Sequence, residues 1–180
     1  SARPRKLSVT QVETLMRDPY TIYARHILRL TPLPTIDSPP DATIYGSIIH
    51  QILDQFIKKF PAKNSKPLPQ NAEQILIKMG EKAFETVKNY PSVWAFWWPR
   101  FVRIARWFIN REREDRKIIS EIRTEVRGSI EIATAGGIFT LSAVADRIDK
   151  LLDGTIRITD YKTGAPPSKK EIHAGFAPQL

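Results

Sequence analysis

The chain contains no cysteine in its 180 residues. Disulfides, thiolate zinc sites and a cysteine nucleophile are therefore excluded. No apolar run is long enough to span a membrane, and the N-terminus Ser1-Ala2-Arg3-Pro4-Arg5-Lys6 is basic without the apolar run of a signal peptide. A soluble, cytoplasmic protein follows as the default expectation. Acidic residues are in deficit, 19 against 28 Lys and Arg, for a formal charge of +9 and an isoelectric point near 9.9. That imbalance points toward an acidic partner, of which nucleic acid is the commonest, and is weak alone. What is plentiful is hydrophobic residue content, 42%, enough to bury a core within one domain.

The chain is organised around Ala143 to Gly164. Two runs of β-branched and aliphatic residues flank Asp153-Gly154, the pattern of a β-hairpin. Strand side chains alternate with a period of two, so Ile156, Ile158, Asp160 and Lys162 share one face. A two-residue loop would put Asp146 opposite Tyr161. A three-residue loop over Leu152-Asp153-Gly154, with glycine in the left-handed position, instead pairs Leu151 with Thr155 and sets Asp146 opposite Asp160. The three-residue loop is preferred, because Val144, Asp146 and Ile148 then share a face with Ile158, Asp160 and Lys162. Facing carboxylates repel unless a cation lies between them. A divalent metal with Lys162 nearby would make a phosphodiester site. Equally open on the hairpin alone is a surface ion-pair ladder in which Asp146 and Asp149 bracket Arg147.

Upstream, Leu7 to Leu30 reads as helical, with Ser8 and Gln11 at capping-box spacing and a break at Asp18-Pro19. The proline-rich Thr31 to Asp41 is a loop. Ile44 to Phe60 is a helix, with Tyr45, Ile48, Ile49, Ile52, Leu53, Phe56 and Phe60 on one apolar arc. His50 sits at the edge of that arc and Gly46 one turn earlier on the same flank, where a glycine permits close approach. His50 is an ordinary boundary histidine unless it faces the hairpin carboxylates. Pro61 to Asn71 reads as a linker and Ala72 to Asn89 as a helix. Val93 to Pro99 is dense in aromatics, read two to one as core against a platform for unpaired bases. From Arg100 to Ile119 a helix sets Arg103, Arg106, Arg113 and Lys117 in one stripe. The stripe is either a phosphate track or a solvated face partly neutralised by Glu112, Glu114 and Asp115. Strands over Glu121 to Thr134 and Ile138 to Lys150, turned by Gly136-Gly137, precede the last strand. Helices first and antiparallel strands after make an α+β domain, helical over about 1–119 and sheet with hairpin over about 120–164.

Three motifs occur in order: Gly46-Ser47-Ile48-Ile49-His50, Asp146-Arg147-Ile148-Asp149 and Asp160-Tyr161-Lys162-Thr163-Gly164. Together they resemble the RecB-type branch of the PD-(D/E)XK nucleases. Within it the chain is most similar to the C-terminal nuclease domains of the AddB family, components of bacterial helicase-nucleases that process DNA double-strand breaks. The segment from Ser8 through Tyr20 fits as well.

The resemblance implies a restriction-endonuclease-like core, a mainly antiparallel central sheet flanked by helices. It also implies a Mg²⁺- or Mn²⁺-dependent deoxyribonuclease that leaves 5′-phosphates. His50, Asp146, Asp160 and the Tyr161 backbone carbonyl would bind the metal, and Lys162 would orient or activate the attacking water. Glu125 matches a common family glutamate, either behind the ligands or as a cross-strand partner of an arginine. Relatives with an iron-sulfur cluster have a cysteine where this chain has Asp18, so no cluster is expected. Pro178-Gln179-Leu180 resembles the start of a glutamine-to-tyrosine motif, with Gln179 a candidate substrate contact. The expectation is one nuclease domain over 1–180, a fragment of a larger protein that binds DNA and an AddA-type partner. A non-catalytic DNA-binding or scaffold module retaining the fold is the alternative.

Overall fold

The computed structural model describes residues 3–33, 39–62, 66–164 and 167–173. In chain order the elements are β1 (Lys6–Ser8), α1 (Val9–Arg17), α2 (Pro19–Ile22) with a π-helical turn over Tyr23–Ile27, α3 (Ala42–Lys59) and α4 (Ala72–Ala83) with a 3₁₀ turn over Phe84–Val87. There follow α5 (Pro91–Asp115), β2 (Ile119–Thr134), β3 (Gly137–Leu151), β4 (Ile156–Thr159) and α6 (Lys169–His173). The protein is α+β, helical first and sheet after. β3 pairs with β2 and β4, and β1 joins β3 in parallel, so the sheet is mixed. No helix is long and apolar enough to cross a membrane among the described residues.

The chain divides into two compact units, Ser1–Ile36 with Arg127–Val144 and Gly164–Leu180, and Asp37–Val126 with Ala145–Thr163. In the first, Leu7 pairs with Leu141 across the parallel β1–β3 ladder. The expected helix start at Leu7 is therefore displaced: Leu7 is buried in a strand, and Ser8 caps α1. The capping box is complete, with Ser8 Oγ accepting from Gln11 N–H and Gln11 Oε1 accepting from Ser8 N–H.

The second unit carries the core. Ile48, Ile49, Ile52, Leu53 and Phe56 of α3 are buried against Leu76, Phe84, Phe101, Phe108 and Ile109. Burying each such side chain contributes about 1.5–3 kcal/mol. Asp41 caps α3 by accepting from Thr43 and Ile44 N–H. α5 starts at Pro91 rather than Arg100, because Pro91 suits a first helical position and the aromatic run continues the helix. Pro99 lies inside it and removes one backbone hydrogen bond. Dense ring packing there offsets the loss: Trp94 stacks on Trp98 at 5.0 Å, and Trp98 and Phe101 pack on Phe84. The helix ends at Asp115, so Lys117 falls beyond it.

The inner face of the hairpin is charged. Arg147 and Asp149 are buried, whereas Ile156 and Ile158 are more than half exposed, so Arg147 is not part of a surface ladder. Arg147 donates from Nη1 to Glu112 of α5 and from Nε to Asp149 Oδ1 at 2.6 Å. Glu112 also accepts from Arg116 Nε at 3.0 Å, and Arg157 donates to Asp149 Oδ2 at 2.8 Å. Burial works most strongly against the charge on Arg147, but the Glu112 and Asp149 carboxylates prevail and hold its pKa above the ordinary guanidinium value. These residues fasten the hairpin to α5 beneath the candidate site.

Two substitutions test this packing. A Cβ on Gly80 would lie 2.0 Å from the Phe101 ring. Gly80→Ala should therefore destabilise by about 1–3 kcal/mol from overpacking, despite the better helix propensity of alanine. Glu112→Ala, which leaves Arg147 and Arg116 buried without their shared carboxylate, should cost about 3–5 kcal/mol. Removing the exposed Lys88–Glu85 pair should cost under about 1 kcal/mol. Urea unfolding of the three variants measures all of these.

Candidate active site

The hairpin loop fixes the register. Leu151 N–H donates to the Thr155 carbonyl at 2.9 Å, and Gly154 adopts a positive φ of 87°, the three-residue loop with glycine in the left-handed position. Arg147 pairs with Thr159, so the next antiparallel step sets Asp146 opposite Asp160.

Tyr161, just past β4, is a junction. Its N–H donates to Asp146 Oδ2 at 2.7 Å, and its carbonyl lies 2.7 Å from His50 Nε2. Its hydroxyl accepts from Arg147 at 3.3 Å, and its ring packs edge-on against His50 and Phe108. Burial pushes the Tyr161 phenol up in pKa, which keeps it neutral. The strand end that carries Asp160 and Lys162 is thereby held from both faces.

His50 reaches this junction from α3. Its Nδ1 is 3.4 Å from Asp146 Oδ1. The approach of α3 is close at Gly46, where a Cβ would stand 3.3 Å from Thr163 Oγ1. The bond to Asp146 raises the pKa of His50 against the opposing effect of burial, and the Tyr161 carbonyl and Asp160 add to it. Burial would raise Asp146, yet the His50 hydrogen bond and the Tyr161 N–H hold it below the ordinary carboxylate value. The two shifts agree: the pocket favours a positive charge beside Asp146.

Glu125 completes the convergence. One ligand atom each from His50, Glu125 and Asp146 lies within 4.8 Å of the others. Glu125 sits inside β2 with φ of 52°, a left-handed conformation that costs a residue with a Cβ about 1–2 kcal/mol. Such a kink in a strand re-aims a side chain. Its neighbour Thr124 is pinned by a 2.6 Å hydrogen bond to Asp54, one helical turn after His50 on α3. Nothing in the residue types around Glu125 announces this conformation, so the sequence left its place between two readings. The geometry puts it at the His50–Asp146 pair.

Asp160 stands beside this group. Lys162 Nζ pairs with the buried Asp160 Oδ2 at 2.8 Å. The imidazole of His50 and the carboxylates of Glu125 and Asp146 are a donor set of the kind that holds a divalent metal.

The remaining candidates are not gathered here. Arg103, Arg106, Arg113 and Lys117 are exposed. Arg106 lies 3.4 Å from Glu73, Arg113 donates to the Gln70 carbonyl at 3.2 Å, and Lys117 pairs with Glu114 at 2.6 Å. Arg100, which the sequence did not single out, donates to the Thr163 carbonyl and lies over the Tyr45 ring at 5.2 Å. Gln179 lies outside the described residues.

Comparison with known proteins adds an independent finding. A family model for the PD-(D/E)XK nuclease superfamily matches residues 6–180. An uncharacterized protein of Rickettsia bellii (strain RML369-C) is 33% identical over 177 residues, covering 98% of this chain and 21% of that protein. A counterpart in Rickettsia felis is 34% identical over 179 residues. An ATP-dependent helicase/deoxyribonuclease subunit of Streptococcus mutans is 26% identical over 184 residues, 99% of this chain and 16% of that protein. The chain thus spans about a fifth or less of the curated relatives it matches.

Proposed function

This chain belongs to the PD-(D/E)XK nuclease superfamily, and on that footing we propose that it is the nuclease domain of a bacterial, cytoplasmic helicase-nuclease. In this reading it hydrolyses DNA phosphodiester bonds, as an exonuclease, during double-strand break repair and recombination. Its partner is an AddA-type subunit, and residues 1–180 form one domain of a larger chain. The similarity to a subunit of an ATP-dependent helicase/deoxyribonuclease supports this. The observation that carries it is the convergence of His50, Glu125 and Asp146, with Asp160 one residue past the Arg147–Thr159 pair of the hairpin.

His50, Asp146, Asp160 and the Tyr161 carbonyl would hold the metal, with Glu125 as a further ligand. When bound, Mg²⁺ or Mn²⁺ lowers the pKa of a water and polarises the phosphate. Tyr161 fixes the Asp146 carboxylate through its N–H, which sets the direction of that oxygen before DNA arrives. Lys162, paired with Asp160, presents an ammonium that orients the attacking water and offsets charge on the scissile phosphate. The strained Glu125 backbone keeps a carboxylate where like charges repel. A cation relieves that repulsion. Metal and substrate binding are therefore coupled to the electrostatics of the site.

Cleavage of linear DNA with Mg²⁺, Mn²⁺ or EDTA tests the proposal. Cutting should require metal and fall by about 100-fold or more in Asp160→Ala and Lys162→Ala. Glu125→Gln should raise the Mg²⁺ concentration needed by about 10–100-fold. Cutting that survives EDTA, or that both alanine variants retain, would refute the assignment.

A further inference from the structure

Four residues of α5 that the proposed mechanism leaves unused share one face. At the helical angle of 100° per residue, Phe96, Arg100, Arg103 and Trp107 fall within a sector of about 60°. Phe96 is 78% exposed and Trp107 63%, and both arginines are exposed. The other rings of this helix behave differently: Trp94, Trp97 and Trp98 are half-buried and pack on the core. Exposure is thus confined to the aromatics that lie in register with the arginines. Arg100 ties the face to the site, since its guanidinium donates to the carbonyl of Thr163, the residue after Lys162.

Flat rings interleaved with guanidinium groups fit a polymer that offers unpaired ring faces and regular negative charge. A single DNA strand offers both. In a duplex the base faces are already stacked, so side chains reach only phosphates and base edges. The chain's charge of +9 favours the same occupant. From Phe96 to Trp107 the helix rises about 16 Å, room for about five nucleotides at a stacked spacing of about 3.4 Å.

We propose that this face of α5 is a track for single-stranded DNA, with Phe96 and Trp107 stacking on bases and Arg103 meeting phosphates, leading to the strand end at Thr163. The track rests on the nuclease reading for its direction toward the site, while binding itself requires no turnover.

The test is binding of the full chain, in EDTA, to a labelled oligothymidylate and to a duplex of matching length. Phe96→Ala and Trp107→Ala should each weaken single-strand affinity about 5-fold or more and change duplex affinity less than about twofold. Arg103→Ala should weaken both and lower the salt slope by about one. Trp107→Phe should keep the affinity while losing part of the tryptophan quenching that stacking produces. Unchanged single-strand affinity in the Phe96→Ala/Trp107→Ala double variant, or an equal loss on duplex, overturns the single-strand track. Cleavage assays on the same proteins separate the two readings. Lost single-strand binding in a protein that never cuts retains the track and removes the nuclease. Intact cleavage with unchanged binding does the opposite.

Discussion

The guanidinium of Arg147 is buried at a point where neither burial nor charge would be stable alone. It is held between Glu112 on α5 and Asp149 on its own strand, and it reaches the hydroxyl of Tyr161. Taking an ion out of water is costly, and the cost is offset here through Nε and Nη1, while Nη2 has no hydrogen-bond partner among the described residues. The network therefore specifies geometry more than it adds stability: it admits one register of the hairpin against one turn of α5. Because Tyr161 is fixed by the same guanidinium, the strand end bearing Asp160 and Lys162 inherits that precision.

The candidate site draws on three segments far apart in the chain. α3 delivers His50, the kinked β2 delivers Glu125, and the hairpin delivers Asp146 and Asp160. Each is secured by a polar contact just outside the group itself: Asp54 to Thr124, Tyr161 N–H to Asp146, Arg100 to Thr163. Several acidic side chains meet with one histidine and one lysine, an excess of negative charge that folding alone would disperse. The strain at Glu125 and the crowding of its carboxylate with that of Asp146 have the same character. Both are local costs that a bound cation would reduce, and both are offset by the large apolar core of α3, α4 and α5.

Local signals were well written in the chain. Ser8 with Gln11 and Gly154 in the hairpin each act within a few residues, through a side chain reaching a nearby N–H or a φ that glycine adopts freely. The α+β order, the apolar arc of α3 and the facing of Asp146 with Asp160 follow from periodicity and loop length. β1 was not legible, since Lys6–Ser8 is a strand only because β3 lies alongside it. The start of α5 at Pro91 was not legible locally, since Pro99 inside it is a residue that ordinarily interrupts a helix.

The hairpin register and the helical face carrying His50 were legible before folding is considered, because both rest on short-range geometry. Tertiary structure alone decided which face of the hairpin is buried. Alternation places Ile156 with Ile158, and Arg147 with Asp149, but it cannot say which pair turns inward. Glu112 and Arg116 of α5 make the charged side the inner one, and the isoleucines face out. The same holds for Glu125, whose left-handed backbone is not a preference of glutamate. Its neighbour Thr124 is held by Asp54 of α3, a contact that exists only once the tertiary structure has formed.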